Sequence, residues 1–253
     1  MSGKQPDYSH YRNLGYDDFR RMALDETLSK YEKIGFPDTY RANFEADIFS
    51  DICSKLPVLY KEKQHILDVG PGCSDLPHML ITLCAERNHD LVMIDSREML
   101  GQLPTGQFRK IAGQFPNQCS EFIQKEAGTF DAIIVYSVLH YVMPGGDLFA
   151  FLDRLCSLLA AQGALLIGDI PNVSMRKRFF ASETGVQFHR KFTGSEDSPE
   201  STFNALEFDQ IDDAVVLGMV LRARSAGFHA FVVPQRAPLP MANRREDLLI
   251  QRP

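Results

Sequence analysis

Residues 65–74 read His-Ile-Leu-Asp-Val-Gly-Pro-Gly-Cys-Ser, an apolar run followed by a glycine-rich turn. Within it, Asp68, Gly70, Gly72 and Ser74 recur at every second position. Glycine lets the backbone turn tightly and lets a ligand approach with no Cβ in the way, and free amides at the start of a following helix favour polar ligand groups. The spacing predicts a ligand-binding turn between a strand and a helix; an ordinary strand-to-helix turn is the alternative.

An acidic residue, Asp95, closes the next apolar run about 25 residues beyond Gly70. At the carboxyl end of a neighbouring strand, such a carboxylate can accept hydrogen bonds from both ribose hydroxyls of an adenosine cofactor. Asp95 could instead cap a helix that begins at Ser96. The spacing favours ribose binding, because the fold places the ends of adjacent parallel strands side by side.

Both features, with four other segments, resemble the class I S-adenosylmethionine-dependent methyltransferases. The family's first motif is similar to ILDVGPGCSDL, and its acidic strand end is similar to IDSREML. Its adenine-side loop is similar to GQFP and its fourth strand to FDAIIVYSVLHYV. Its ending, where the last strand inserts antiparallel, is similar to RARSAGFHAFVVPQ and DLLIQRP. The resemblance extends over residues 63–170 and, less closely, over 211–253.

The resemblance implies an enzyme that takes a methyl group from S-adenosylmethionine and releases S-adenosylhomocysteine. Two positions depart from the family pattern. Ser74 stands where a third glycine is common, and Gln114 stands where an Asp often contacts adenine. Serine is small enough for the turn, and the carbonyl oxygen of Gln114 can accept a hydrogen bond from the adenine amino group. The cofactor-binding residues expected are Asp68, Gly70, Pro71, Gly72, Ser74, Asp95, Ser96, Gln114, Phe115, Tyr136 and Ser137.

A nicotinamide dinucleotide is the competing ligand for the glycine turn. Its fingerprint has glycine at the sixth position, which is Asp75 in this chain. A carboxylate would repel the pyrophosphate, whereas S-adenosylmethionine carries no phosphate. The pattern therefore favours S-adenosylmethionine.

Methyl transfer from sulfonium to oxygen or nitrogen is an in-line displacement, which needs alignment and a base to take the acceptor's proton. Ligands in open α/β sheets lie beyond the carboxyl ends of the strands. His140, just after the fourth strand, is therefore a candidate general base, with packing beside the cofactor as the alternative. Asp169 ends the fifth strand and is expected either to contact substrate or to serve as a structural cap at the strand end. Tyr141 is expected on the acceptor side.

Residues 171–210 interrupt the alternation of strands and helices, because they are polar, show little sustained periodicity and exceed an ordinary connection in length. They leave the sheet where the fifth strand ends, so we expect a lid over the acceptor pocket. Within it, Arg176 and Arg178, which flank Lys177, are expected to clamp an anionic group of the acceptor, with His189 nearby. A solvated basic face or a partner surface is the alternative.

Short apolar runs alternate with amphipathic stretches over residues 65–170, which indicates parallel strands joined by right-handed crossovers. The fold class expected is α/β: a Rossmann-like, doubly wound, seven-stranded sheet, mostly parallel with the last strand antiparallel. We expect an N-terminal helical extension over residues 1–62 and a methyltransferase domain over residues 63–253. The predicted strands are 65–69, 91–95, 108–113, 130–138, 164–170, 229–235 and 247–253; the predicted helices are 40–56, one capped by Ser74, 147–161 and 211–226.

The net charge of −6 disfavours broad contact with nucleic acid, so a small polar metabolite is the acceptor expected. Five cysteines without a CxxC pair predict reduced, mostly buried thiols and no metal site. No apolar run approaches the ~20 residues of a membrane span, and residues 1–13 lack the apolar stretch of a secretory signal, so a cytoplasmic protein is expected. A cofactor-binding partner or scaffold without catalysis is the second functional class, because fold alone does not separate the two.

Overall fold

The computed structural model describes residues 14–205 and 207–253, and a seven-stranded sheet in the order β3-β2-β1-β4-β5-β7-β6 runs through it. Strands β1 to β5 pair in parallel, and β7 lies antiparallel between β5 and β6. This confirms the predicted doubly wound sheet with an antiparallel last strand. The strands are His65–Val69 (β1), Asp90–Asp95 (β2), Arg109–Ala112 (β3), Phe130–Tyr136 (β4), Leu159–Pro171 (β5), His229–Pro234 (β6) and Arg245–Gln251 (β7).

Eleven α-helices accompany the sheet in the described part of the chain. The helices are Tyr16–Leu24 (α1), Asp38–Arg41 (α2), Glu45–Lys55 (α3), Asp75–Glu86 (α4), Arg97–Leu100 (α5), Ser120–Lys125 (α6), Leu139–Val142 (α7), Leu148–Leu158 (α8), Val173–Phe180 (α9), Glu183–Thr193 (α10) and Asp213–Ser225 (α11). Short 3-10 turns span Glu32–Ile34, Pro57–Tyr60 and Met143–Gly145. Among the described helices, none has both the length and the apolar character needed to cross a membrane.

Both faces of the sheet are buried, which explains why its strands are apolar runs without polar alternation. Ile133 of β4 packs in one core cluster and Ile134 in the other, because successive side chains of a strand point to opposite faces. Helices α8 and α11 contribute to the first cluster, and α3 and α4 contribute to the second. All five cysteines are free and buried, as predicted.

The fifth strand begins five residues earlier than predicted, and α8 ends at Leu158, three residues before its predicted end. Leu159 already pairs with Phe130 of β4, and the register shifts before Ala164 pairs with Ala132. Gly163 of β5 lies so close to β4 that a Cβ would be 2.6 Å from the carbonyl oxygen of Phe130. Glycine at this position therefore serves strand pairing.

The helix predicted over residues 40–56 is divided into α2 and α3. Asn43 separates them with a φ of 70°, in the left-handed region where a helix cannot continue. Helix α3 packs against α4 on the sheet, while α1 packs on α5 through Ala23 and Met99. Residues 1–13, on which the absence of a secretory signal was judged, lie outside the described residues.

The expected lack of regular structure in residues 171–210 is wrong for the first half of that segment. Asn172 caps α9 by accepting hydrogen bonds from the amides of Ser174 and Met175, and Ser182 caps α10. Two short helices give no long periodic stretch, which is why the sequence pattern concealed them. Residues 194–205 and 207–212 contain no helix or strand.

Candidate functional site

A cavity of about 290 Å³ opens at the carboxyl ends of β1, β2 and β4. The strand order reverses between β1 and β4, and open α/β sheets bind ligands at such a switch point. One wall comes from the loops that follow the strands, and the opposite wall comes from the N-terminal segment. Of the residues predicted from the sequence, those that line the cavity are Gly70, Pro71, Gly72, Ser74, Asp95, Gln114, Phe115, Tyr136, Ser137 and Tyr141.

The glycine turn forms the floor of the cavity, and its geometry excludes side chains. Gly70 and Gly72 have φ values of 73° and 69°, a region that L side chains rarely adopt. A Cβ at Gly70 would lie 2.5 Å from Val138, and one at Gly72 would lie 2.6 Å from Ile34. Gly72 is therefore needed where the turn approaches the N-terminal segment, and Gly70 is needed where it approaches the loop after β4.

Asp95 connects the end of β2 to the glycine turn. Its Oδ2 accepts a hydrogen bond from the amide of Gly72 at 3.2 Å, and its Oδ1 accepts one from the amide of Ser96 at 2.7 Å. Burial raises the pKa of Asp95 to about 6. Each oxygen keeps further acceptor capacity toward the cavity. The cap of α5 is the hydroxyl of Ser96, which accepts from the amide of Met99 and does not line the cavity.

Asp68 lies behind the glycine turn. It borders a separate, smaller cavity and is not among the residues that line the main one. Burial, with a contribution from Asp95, raises the pKa of Asp68 to about 8. Asp68 therefore lies beside the glycine turn but outside the lining of the main cavity, where the cofactor was expected.

Sequence reasoning missed the N-terminal wall of the cavity. None of its residues was singled out beforehand, although the first 62 positions are rich in aromatic and charged side chains. Arg41 and Glu45 are four residues apart in a segment predicted to be an amphipathic helix, and that was the available signal. The members of the wall are Tyr16, Phe19, Ile34, Phe36, Arg41 and Glu45.

The sequence predicted that Ser74 caps α4, and this prediction is wrong: the cap comes from the N-terminal wall. Ser74 occupies the N-cap position, but its side chain makes no capping hydrogen bond. Instead, Oε2 of Glu45 accepts a hydrogen bond from the amide of Leu76 at 2.7 Å. A buried acid at a helix N-terminus is favourable because it meets free amides and the positive end of the helix dipole.

A buried polar network joins the ends of β4 and β5 behind the cavity. Oδ2 of Asp169 accepts hydrogen bonds from Arg41 at 3.1 Å, from Arg245 at 2.7 Å and from the hydroxyl of Ser137 at 2.5 Å. Burial acts to raise the pKa of Asp169, but the two guanidinium groups outweigh it, so the pKa lies below its ordinary value. Asp169 itself does not line the main cavity. Its contacts make it a structural anchor rather than a proton acceptor.

His140 lies beside the cavity, but it is not among the lining residues. Its Nδ1 is buried and has no hydrogen-bond partner among the described residues. Burial, with the nearby Arg245, lowers the pKa of His140 to about 3. Its ring packs on Tyr141, with centroids 3.9 Å apart, so the packing alternative fits its surroundings better than the role of general base.

The predicted substrate residues of the 171–210 segment lie apart from the cavity. Arg176 pairs with Glu207 at 3.0 Å, and Arg178 pairs with Asp213 at 2.5 Å. His189 packs against Phe180. None of the cavity-lining residues in the described part of the chain comes from residues 171–210. The structure therefore brings the glycine turn, Asp95 and the N-terminal wall together at the cavity. It does not bring Arg176, Lys177 and Arg178, the basic triplet, to that cavity.

Comparisons with known proteins identify the fold. No family model matches the sequence, and no curated protein matches it. Among solved structures, the N-methyltransferase NodS from Bradyrhizobium japonicum, in complex with S-adenosylhomocysteine, superposes with a TM-score of 0.55 at 13% identity, covering 94% of this chain and 98% of that one. A putative O-methyltransferase from Nostoc punctiforme gives 0.53 at 15% identity, covering 94% of this chain and 68% of that one. An S-adenosylmethionine-dependent methyltransferase from Archaeoglobus fulgidus gives 0.51 at 12% identity, covering 85% and 97%. At these identities the similarity shows the fold that the chain shares with them.

Proposed function

We propose that this chain, which has the class I methyltransferase fold, is an S-adenosylmethionine-dependent methyltransferase acting on a small polar metabolite. The observation that carries the proposal is the meeting of the glycine turn and the Asp95 carboxylate in one cavity at the switch point of the sheet. The net charge of −6 supports a small-molecule acceptor over nucleic acid. A cytoplasmic location is part of the proposal.

The cavity residues suit the parts of this cofactor. Asp95 would accept hydrogen bonds from the ribose hydroxyls, and the loop residues Gln114 and Phe115 would contact adenine. The turn at Gly70 and Gly72 leaves space where a Cβ would otherwise stand. When bound, S-adenosylmethionine supplies an electrophilic methyl group on a sulfonium.

Alignment is the contribution that the chain's own residues are best placed to make. The aromatic side chains of Phe19, Phe36 and Tyr141 line the cavity and would exclude water from it. Holding donor and acceptor at near-attack distance supplies much of the acceleration of a displacement. Oxygen or nitrogen is the acceptor atom that we propose; the similar NodS is an N-methyltransferase and the Nostoc protein a putative O-methyltransferase.

A cofactor-binding protein without catalysis remains the second candidate, and one observation favours it. The candidate base His140 and the strand-end carboxylate Asp169 are poorly suited to take a proton, because the pKa of His140 is lowered to about 3 and Asp169 is engaged by two guanidinium groups. An acceptor whose own proton leaves readily would not need either.

Two measurements test the proposal in order. Calorimetry should show S-adenosylhomocysteine binding, weakened about tenfold or more by Asp95→Ala through loss of hydrogen bonds to a charged acceptor. A panel of small polar alcohols, amines and carboxylates is then scored for release of S-adenosylhomocysteine from S-adenosylmethionine. Absence of binding would overturn the proposal, whereas binding without turnover on any acceptor would favour the scaffold.

A further inference from the structure

Two side chains of opposite charge, Arg41 and Glu45, line the main cavity from its N-terminal wall. Each is 3% exposed. Buried charges cost free energy unless a partner compensates them, so the partners of these two groups indicate what the cavity is built to hold.

Glu45 is only partly compensated within the chain. Its Oε2 accepts a hydrogen bond from the amide of Leu76, and the hydroxyl of Ser74 lies beside the carboxylate and lowers its pKa. Burial outweighs these contacts and the charge of the nearby Arg41, so the pKa of Glu45 is raised. Its Oε1 is buried and has no hydrogen-bond partner among the described residues. The carboxylate thus retains an acceptor that a cationic N–H donor would satisfy.

Arg41 is fixed at one end of its guanidinium group. Both hydrogen bonds that it makes to described residues use Nη2, one to the hydroxyl of Ser137 and one to Asp169. The group lies 4.1 Å from the ring centroid of Phe36 and 5.6 Å from that of Tyr136, which hold its plane. Among the described residues Nε and Nη1 have no hydrogen-bond partner, and a guanidinium group donates to a carboxylate in a two-pronged geometry.

The two groups contact segments that follow β1 and β4, whereas Asp95 ends β2. Asp95 ends β2, the glycine turn follows β1, and Ser137 follows β4, in the sheet order β2-β1-β4. Glu45 contacts the start of α4 just after the glycine turn, and Arg41 contacts Ser137. A ligand whose ribose meets Asp95 and which extends across β1 therefore meets a carboxylate and a guanidinium together.

We propose that Arg41 and Glu45 form a clamp for an α-amino acid zwitterion, the guanidinium group binding its carboxylate and Oε1 of Glu45 binding its ammonium. This inference rests on the proposed function, because the zwitterion is the amino-acid end of S-adenosylmethionine. The clamp distinguishes that cofactor from other adenosine compounds.

Calorimetry with two ligands tests the clamp: S-adenosylhomocysteine, and 5′-methylthioadenosine, which has the same adenosine and sulfur but no amino acid. Wild-type protein should prefer S-adenosylhomocysteine by about a hundredfold. Glu45→Gln removes one charge and keeps the shape, so it should reduce that preference about tenfold and leave methylthioadenosine affinity within about twofold. Arg41→Lys, which keeps the charge but loses the two-pronged geometry, should reduce it in the same way.

A matched control lies on the same helix. Asp51 is a buried acid of α3 that pairs with Lys55 at 2.6 Å and does not line the main cavity. Asp51→Asn should lower the melting temperature and leave the ligand preference unchanged. Glu45→Gln keeps an oxygen that can accept from the amide of Leu76, and the weaker interaction with the helix dipole is offset by removal of a buried charge, so the melting temperature of the ligand-free protein should change little. A purely structural Glu45 would give the reverse pattern.

The outcomes separate the clamp from the proposed function. If S-adenosylhomocysteine and methylthioadenosine bind wild-type protein equally, or if Glu45→Gln keeps the wild-type preference, the clamp is overturned while the cofactor site stands. If neither ligand binds wild-type protein, the proposed function fails and the clamp fails with it. Asp95→Ala should weaken both ligands by a similar factor, since both carry the ribose.

Discussion

The N-terminal wall, residues 16–45, and the insertion, residues 171–210, both lie outside the sheet and both carry aromatic and cationic side chains. The sequence pattern favoured the insertion as the cover of the ligand site. The cavity is instead lined by the N-terminal wall and by no described residue of the insertion. Position directly after β5 therefore does not by itself place a segment at the cavity, and a lid formed by the insertion stays a prediction.

Burial of charge is the property that separates the two regions. Arg41 and Glu45 are almost completely buried at the cavity, whereas the side chains of Arg176 and Arg178 are 51% and 55% exposed and pair with neighbouring acids. Exposed ion pairs contribute little free energy, while an uncompensated buried charge requires a partner. A charged residue therefore points to a ligand when it is buried without a complete set of partners, and its residue type alone does not.

The largest effect is expected where the wall meets the glycine turn. Gly72→Val forces a branched side chain into a φ of 69° and against Ile34 of the wall, so affinity for S-adenosylhomocysteine should fall by a hundredfold or more. Calorimetry and a melting curve measure the two consequences. Gly218→Ala is the control, because that glycine lies in α11, where a Cβ meets Phe149 at an ordinary 3.6 Å. Undiminished binding by folded Gly72→Val would remove the wall from the site.

The difference between the turn and the wall also shows how far sequence reasoning reached. Strands and the glycine turn were predictable because apolar runs and alternate glycines are local signals, and Asp95 followed from its distance to Gly70. Glu45 capping α4 was not predictable, because that contact joins positions 31 residues apart. Asp169 was found as a strand end, but the two arginines that lower its pKa come from distant parts of the chain.

The next effect is the pH dependence of ligand affinity, and it contrasts a carboxylate in the cavity with a carboxylate beside the insertion. Burial raises the pKa of Asp95 to about 6, while Arg178 holds the pKa of Asp213, beside the insertion, below its ordinary value. The ribose hydroxyls favour the ionised form of Asp95, so affinity should be full above pH 7 and fall by up to about tenfold per unit below pH 6. Calorimetry from pH 5 to 8 measures this, and a flat profile would contradict the role of Asp95.

A smaller effect is expected at the ion pair that joins α1 of the N-terminal wall to α5. Arg20 of α1 donates to both carboxylate oxygens of Glu98, on α5, at 3.0 and 2.8 Å. Arg20→Ala should increase the dissociation rate of S-adenosylhomocysteine a few-fold, because an exposed pair contributes about 1 kcal/mol or less. Among the described residues, Arg21 forms an ion pair with Asp18 of the same helix and none with α5, so Arg21→Ala is the matched control. Stopped-flow displacement compares them, and equal rates for both variants would mean that the wall does not open at α1.

The smallest effect is expected in the insertion, and this prediction tests the comparison most directly. Arg176→Ala combined with Arg178→Ala removes two exposed ion pairs, with Glu207 and Asp213, at a distance from the cavity lining. Surface pairs of this kind are worth about 0–1 kcal/mol each, so the melting temperature should change by a few degrees at most and S-adenosylhomocysteine affinity should not change. Turnover and the Michaelis constant for the acceptor should likewise match wild-type values, because neither guanidinium group reaches the ligand. A raised Michaelis constant for an anionic acceptor, with cofactor affinity intact, would instead return the basic triplet to the substrate site and would require the insertion to move toward the cavity during the reaction.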